Sequence, residues 1–70
     1  MVKFQFKKIR EFRETEGLTQ HALGELIGLF PQQISAWETE EQPNITVRNL
    51  LKLCEALHRE PNDFFVEEEN

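Results

Sequence analysis

Residues 18–38, LTQHALGELIGLFPQQISAWE, constrain the fold more than any other stretch of the chain. Ala22, Leu23, Leu26 and Ile27 recur at helical steps behind Thr19, a residue suited to cap a helix N-terminus. Gly28 ends that helix, because glycine enters the left-handed backbone region without a Cβ penalty. Leu29 follows as a buried anchor. Pro31 restarts a helix at its first position, where a missing N–H is no loss. On this second helix Ile34 and Trp37 face inward, which leaves Gln32, Gln33, Ser35 and Ala36 facing out. Two short helices crossing steeply, the second with a polar outer face, form a geometry that fits a DNA major groove.

The remaining chain reads as more helix. Phe6, Ile9, Phe12 and Val2 mark the inner face of a helix over residues 4–15, stopped by Gly17. Helices over 20–27 and 31–39 follow, then a loop over 40–44 broken by Pro43. Val47, Leu50, Leu51, Cys54 and Leu57 predict an amphipathic helix over 46–57. A last helical turn from Pro61 brings Phe64, Phe65 and Val66 back to the core, or presents them to a second subunit. With no strand pattern, the expectation is an all-α, compact five-helix domain over residues 1–70, with its core in 4–66 and an acidic tail at 67–70.

Seventy residues bury only ~60% of their unfolded surface, so tight helical packing is the route to stability. A lone cysteine, Cys54, excludes an internal disulfide, and its place on an apolar helix face makes it an inert core thiol. His21 and His58 have no partner at ligand spacing, so neither a metal nor any other cofactor is expected. No phosphate loop or nucleophile–base set is present, and the chain is not expected to be an enzyme. No apolar run is long enough for a membrane span, and residues 1–10 lack a signal-peptide core, so a cytoplasmic protein is expected. A separate effector domain is not expected.

Charge argues against indiscriminate nucleic-acid binding, since the net value is −5. The distribution is uneven. Lys3, Lys7, Lys8, Arg10 and Arg13 outnumber the acids of residues 1–20, and the remainder is strongly acidic. A locally basic end on an acidic whole allows DNA binding that is weaker and salt-sensitive.

Residues 6–66 resemble the lambda/434 repressor and Cro family, also called the XRE family. The likeness lies in Gln20 opening the first helix of the motif and in apolar Leu23, Ile27, Leu29, Ile34 and Trp37. Gly24 stands at the close helix crossing, Gly28 in the turn, and Glu38 at the end of the second helix. The resemblance implies a repressor-like fold and a sequence-specific transcriptional regulator that binds operator DNA; a monomer offers few base contacts, so a homodimer on two half-sites is the expected working form. The resemblance also implies base contact from Pro31, Gln32, Gln33 and Ala36. Gln20 would hold phosphate, joined by Thr19 at the same helix start and by Thr39. A structural salt bridge would join Arg13 to Glu38. Glutamines suit adenine edges, and Ala36 suits a thymine methyl; a plain solvated face is the alternative reading of the same residues.

The sequence departs from that family where Thr39, Glu40, Glu41 and Gln42 replace phosphate-gripping residues. Phe30 replaces the usual Ser or Thr cap, the following loop is about one residue longer, and His58 replaces a frequent glycine. Phe30 would touch thymine methyls or mark a protein-binding patch. These features define a second expectation: a protein-interaction module that keeps the fold without DNA, using Phe30, the glutamine face and the acidic 40–42 loop.

Overall fold

The computed structural model describes residues 1–67. In chain order it contains β1 (Val2–Phe4), α1 (Lys7–Thr15), α2 (Gln20–Ile27), α3 (Pro31–Glu38) and α4 (Val47–Leu57). A short 3-10 turn (Pro61–Phe64) and β2 (Phe65–Glu67) complete it.

Three helix ends are written by single residues. Gly17 and Gly28 take φ of +70° and +76°, and His58 takes +55°, ending α1, α2 and α4 respectively. In each case the next residue reaches back five positions: Leu18 N–H to Arg13 O, Leu29 N–H to Gly24 O, and Arg59 N–H to Cys54 O. Two helix starts are capped by threonine, as Thr19 Oγ1 accepts from Ala22 N–H and Thr46 Oγ1 from Asn49 N–H.

The core joins all four helices to the 3-10 turn. Ile9, Leu23, Ile34, Leu53, Leu57 and Phe64 are fully buried, with Phe12, Ile27 and Trp37 around them. Trp37 also donates its indole Nε1–H to the Asn44 carbonyl at 2.9 Å, which ties the long loop to α3. Gly24 lies against the turn. A Cβ there would collide with the Leu29 carbonyl oxygen, so the approach of α2 to the start of α3 needs glycine.

The all-α, five-helix expectation is corrected in two places. The fifth helix is only a 3-10 turn, since β2 begins immediately after Phe64. The expected first helix begins three residues late, at Lys7, and its expected first residue, Phe4, instead ends β1, which pairs antiparallel with β2 through Val2–Glu67, Lys3–Val66 and Phe4–Phe65. The reason lies in the rings: Phe4 stacks on Phe64 at 5.6 Å and meets Phe6 and Phe65 edge-on at 4.7 and 5.4 Å. Extended backbone sets Phe4 on these contacts, Phe6 already has helical backbone at the start of α1, and Gln5 N–H seals the corner against Phe64 O. Phe64 is therefore core, whereas Phe65 and Val66 keep part of their surface exposed. Glu67, expected in the tail, ends β2; residues 68–70 lie outside the described residues.

The inner faces shift as well. Leu53 is buried on α4, while Val47 and Leu51, expected inside, are exposed. Leu26 on α2 is likewise exposed, and Leu29 is half-buried. Among the described residues no helix is long and apolar enough to cross a membrane.

Candidate nucleic-acid interface

The outer side of α3 is built from its first two turns. Gln32 and Gln33 are exposed, while Pro31, Ser35 and Ala36 are half-buried. Ile34 and Trp37 lock the opposite side into the core, so the rotation of α3 about its axis is fixed.

The start of α3 lacks an ordinary cap, because Phe30 occupies the capping position and has no side-chain acceptor. Gln33 compensates in part, since its Oε1 accepts from the Phe30 N–H at 3.1 Å. Phe30 itself stands 74% exposed beside this turn.

The other end of α3 is fastened by charge. Arg13 Nε and Nη2 bind Glu38 Oε2 and Oε1 at 2.8 and 2.9 Å, a two-pronged ion pair. Arg13 Nη1 also donates to Leu18 O at 2.9 Å, so one guanidinium ties α1, the turn before α2 and the end of α3. The hydrogen bond to Glu38 is the main reason that the Arg13 pKa lies above the ordinary arginine value, against the opposing effect of burial.

Gln20 joins this group. Its Nε2 donates to Glu38 Oε1 at 3.1 Å, which links the start of α2 to the end of α3. Thr19, next to it, caps α2 and keeps its hydroxyl proton available. Thr39 is more committed: its hydroxyl lies 2.9 Å from Ser35 O and 3.3 Å from Glu41 Oε1. A hydroxyl has one proton, so both acceptors compete with any phosphate there.

The expected residues thus divide into three places. Pro31, Gln32, Gln33 and Ala36 share α3; Thr19 and Gln20 flank it at the α2 start; Thr39 closes it beside the acidic loop. Positive charge on α1 is partly neutralised, since Lys8 pairs with Glu11 at 3.3 Å and Arg10 with Glu14 at 3.2 Å. Sequence reasoning passed over Arg48, an exposed cation in the first turn of α4. That turn lies next to α3, because Thr46 and Asn49 share a cleft with Gln33 and Trp37. The readable signal was Thr46 as a helix cap followed closely by a basic residue.

Comparison with known proteins agrees with this architecture. The helix-turn-helix family pattern matches residues 9–64. No curated protein sequence matches significantly. Among solved structures, the chain is similar to the P22 c2 repressor in complex with a synthetic operator, at 32% identity and a TM-score of 0.78, covering 89% of this chain and 92% of that one. It is also similar to the restriction-modification controller protein C.AhdI from Aeromonas hydrophila, at 35% identity and a TM-score of 0.76, covering 84% and 89%. A third likeness, to hydroxypropylphosphonic acid epoxidase from S. wedmorenis, has 24% identity and a TM-score of 0.82 over 93% of this chain but 35% of that one. This last likeness concerns fold alone. The family pattern and the repressor likeness indicate a regulator and not an enzyme. The chain belongs to the XRE-type helix-turn-helix family of DNA-binding regulators.

Proposed function

We propose that this protein is a sequence-specific transcriptional regulator, working in the cytoplasm, that lays α3 in the major groove of its operator. The carrying observation is the fixed outer side of α3: Gln32 and Gln33 exposed, the helix held from behind by Ile34, Trp37 and the Arg13–Glu38 pair. Gln32 and Gln33 contact base edges, Ala36 meets a thymine methyl, and Pro31 sets the backbone at the groove. Thr19 and Gln20 hold phosphate on one flank, with Thr39 and Arg48 on the other. One copy of α3 presents few reading residues, so two copies on half-sites one DNA turn apart form the working unit. The similarity to an operator-bound repressor supports this reading.

A second reading has specific support. Phe30 is exposed, and the Glu41 carboxylate sits beside the Thr39 hydroxyl, an arrangement hostile to phosphate. In that reading the fold serves to bind a protein partner through Phe30 and the acidic loop.

Selection of bound sequences from random duplex DNA, at low and physiological salt, separates the two. Recovery of an inverted repeat that Gln32→Ala no longer enriches supports the dimeric DNA reader. No enrichment by protein that is folded by circular dichroism favours the protein-binding module.

A further inference from the structure

We propose that Gln32 and Gln33 read different bases, adenine and guanine respectively, because the cap of α3 has already taken the carbonyl of Gln33. The inference rests on the DNA-reading function above and specifies which bases that function selects.

The hydrogen bond from Phe30 N–H to Gln33 Oε1, 3.1 Å long, fixes the orientation of the amide. A backbone N–H requires an acceptor, so the oxygen and not the NH2 group faces it. The amide is planar, and Nε2 lies across Cδ from Oε1. Holding the oxygen on the backbone therefore leaves the NH2 group as the free end of an exposed side chain. Phe30 cannot supply a cap of its own, so turning Gln33 over would forfeit the side-chain bond that this helix start possesses.

A free NH2 group has two hydrogens and no acceptor. Of the four bases, guanine alone presents two acceptors in the major groove, N7 and O6. Adenine offers N7 beside a competing N6–H2 donor, thymine has one acceptor, and cytosine presents a donor. Gln32 differs. It is exposed, and among the described residues its side chain has no hydrogen-bond partner, so both amide ends remain for the N6–H2 and N7 of adenine.

The test is selection from random duplex DNA with the parent protein, Gln32→Ala, Gln33→Ala and Gln33→Glu. Gln33→Glu keeps an oxygen for the Phe30 N–H, so its thermal midpoint should not fall, yet it has no donor. The parent should prefer guanine by roughly tenfold at one position of each half-site. That preference should vanish in Gln33→Ala and move toward cytosine in Gln33→Glu, while a nearby adenine preference vanishes only in Gln32→Ala. Replacing the guanine by 7-deazaguanine should weaken the parent and leave Gln33→Ala unaffected. An adenine at the Gln33-dependent position overturns the proposal, as does a motif in which no position responds to Gln33. A folded parent that enriches no motif overturns the DNA reading and this inference with it.

Discussion

Gln20 and Arg13 converge on a single oxygen of Glu38: Nε2 of the glutamine lies 3.1 Å from Oε1, and Nη2 of the arginine 2.9 Å from it. The Glu38 side chain is only 5% exposed, so these donors replace most of the water it would otherwise hold. Arg13→Met leaves that carboxylate buried and uncompensated, and is expected to lower stability by about 3–5 kcal/mol. Gln20→Ala removes a lesser donor, and about 1 kcal/mol is expected. Urea denaturation checks both, and equal losses would show that the arginine has no special part in neutralising Glu38.

Gly24 is expected to resist even alanine. An added methyl would meet the Leu29 carbonyl, a backbone atom that cannot swing aside as a side-chain tip would. Overpacking of this kind costs about 1–3 kcal/mol, more than alanine recovers through better helix propensity. A Gly24→Ala variant as stable as the parent in urea would mean that α2 and α3 can separate without loss.

His58 offers the opposite case. It occupies left-handed backbone at φ +55°, strained for a residue with a Cβ by about 1–2 kcal/mol. Its contact with Glu16 is made by a 76% exposed ring and adds little. His58→Gly should therefore raise the thermal midpoint by several degrees, about 4–8 °C per kcal/mol for a domain of this size. Scanning calorimetry on the two proteins reads this directly, and an unchanged or lower midpoint would mean that the Glu16 contact outweighs the strain.

Cys54 sets a limit at alkaline pH. Burial, and then the charges of Asp63 and Glu60, push its thiol above the ordinary range. The folded state thus holds its proton at pH values where the unfolded chain has lost it. Stability from this source is complete below about pH 8.5, the unfolded thiol value, and falls as pH rises through the folded one. Cys54→Ala should lower stability at neutral pH through lost packing and remove this part of the alkaline decline. Urea midpoints measured at several pH values from 7 upward distinguish the two effects.

How much of this was legible in the sequence depended on the range of the signal. The α2–turn–α3 unit was readable because Thr19, Gly28 and Pro31 act on their own backbone. The sheet was not. Val2, Phe4 and Phe6 do alternate with Lys3 and Gln5, but so short an alternation also fits a helix start, and the pairing partner lies at the far end of the chain. On α4, apolar side chains occupy more of the circumference than one face can bury, and only tertiary packing selects Leu53 over Leu51. The site shows the same division. Which residues line α3 followed from periodicity, whereas the bonds Gln20–Glu38 and Gln33–Phe30 depend on rotamers that no spacing rule specifies.

The acidic loop bears on affinity. Glu41 holds a carboxylate oxygen 3.3 Å from the Thr39 hydroxyl, at the flank where phosphate contact is proposed. An anion there repels the DNA backbone and also competes for the Thr39 proton. Glu41→Lys reverses the charge and frees the hydroxyl from one acceptor. Affinity for the selected operator should rise, and the dependence of log K on log salt should steepen by about 1 through one added phosphate contact. Base preference should stay the same, since phosphate contacts position the helix without reading sequence. Binding isotherms across a salt series give both quantities. An unchanged slope with the fold intact would place residue 41 away from the DNA and return the acidic loop to a protein-binding role.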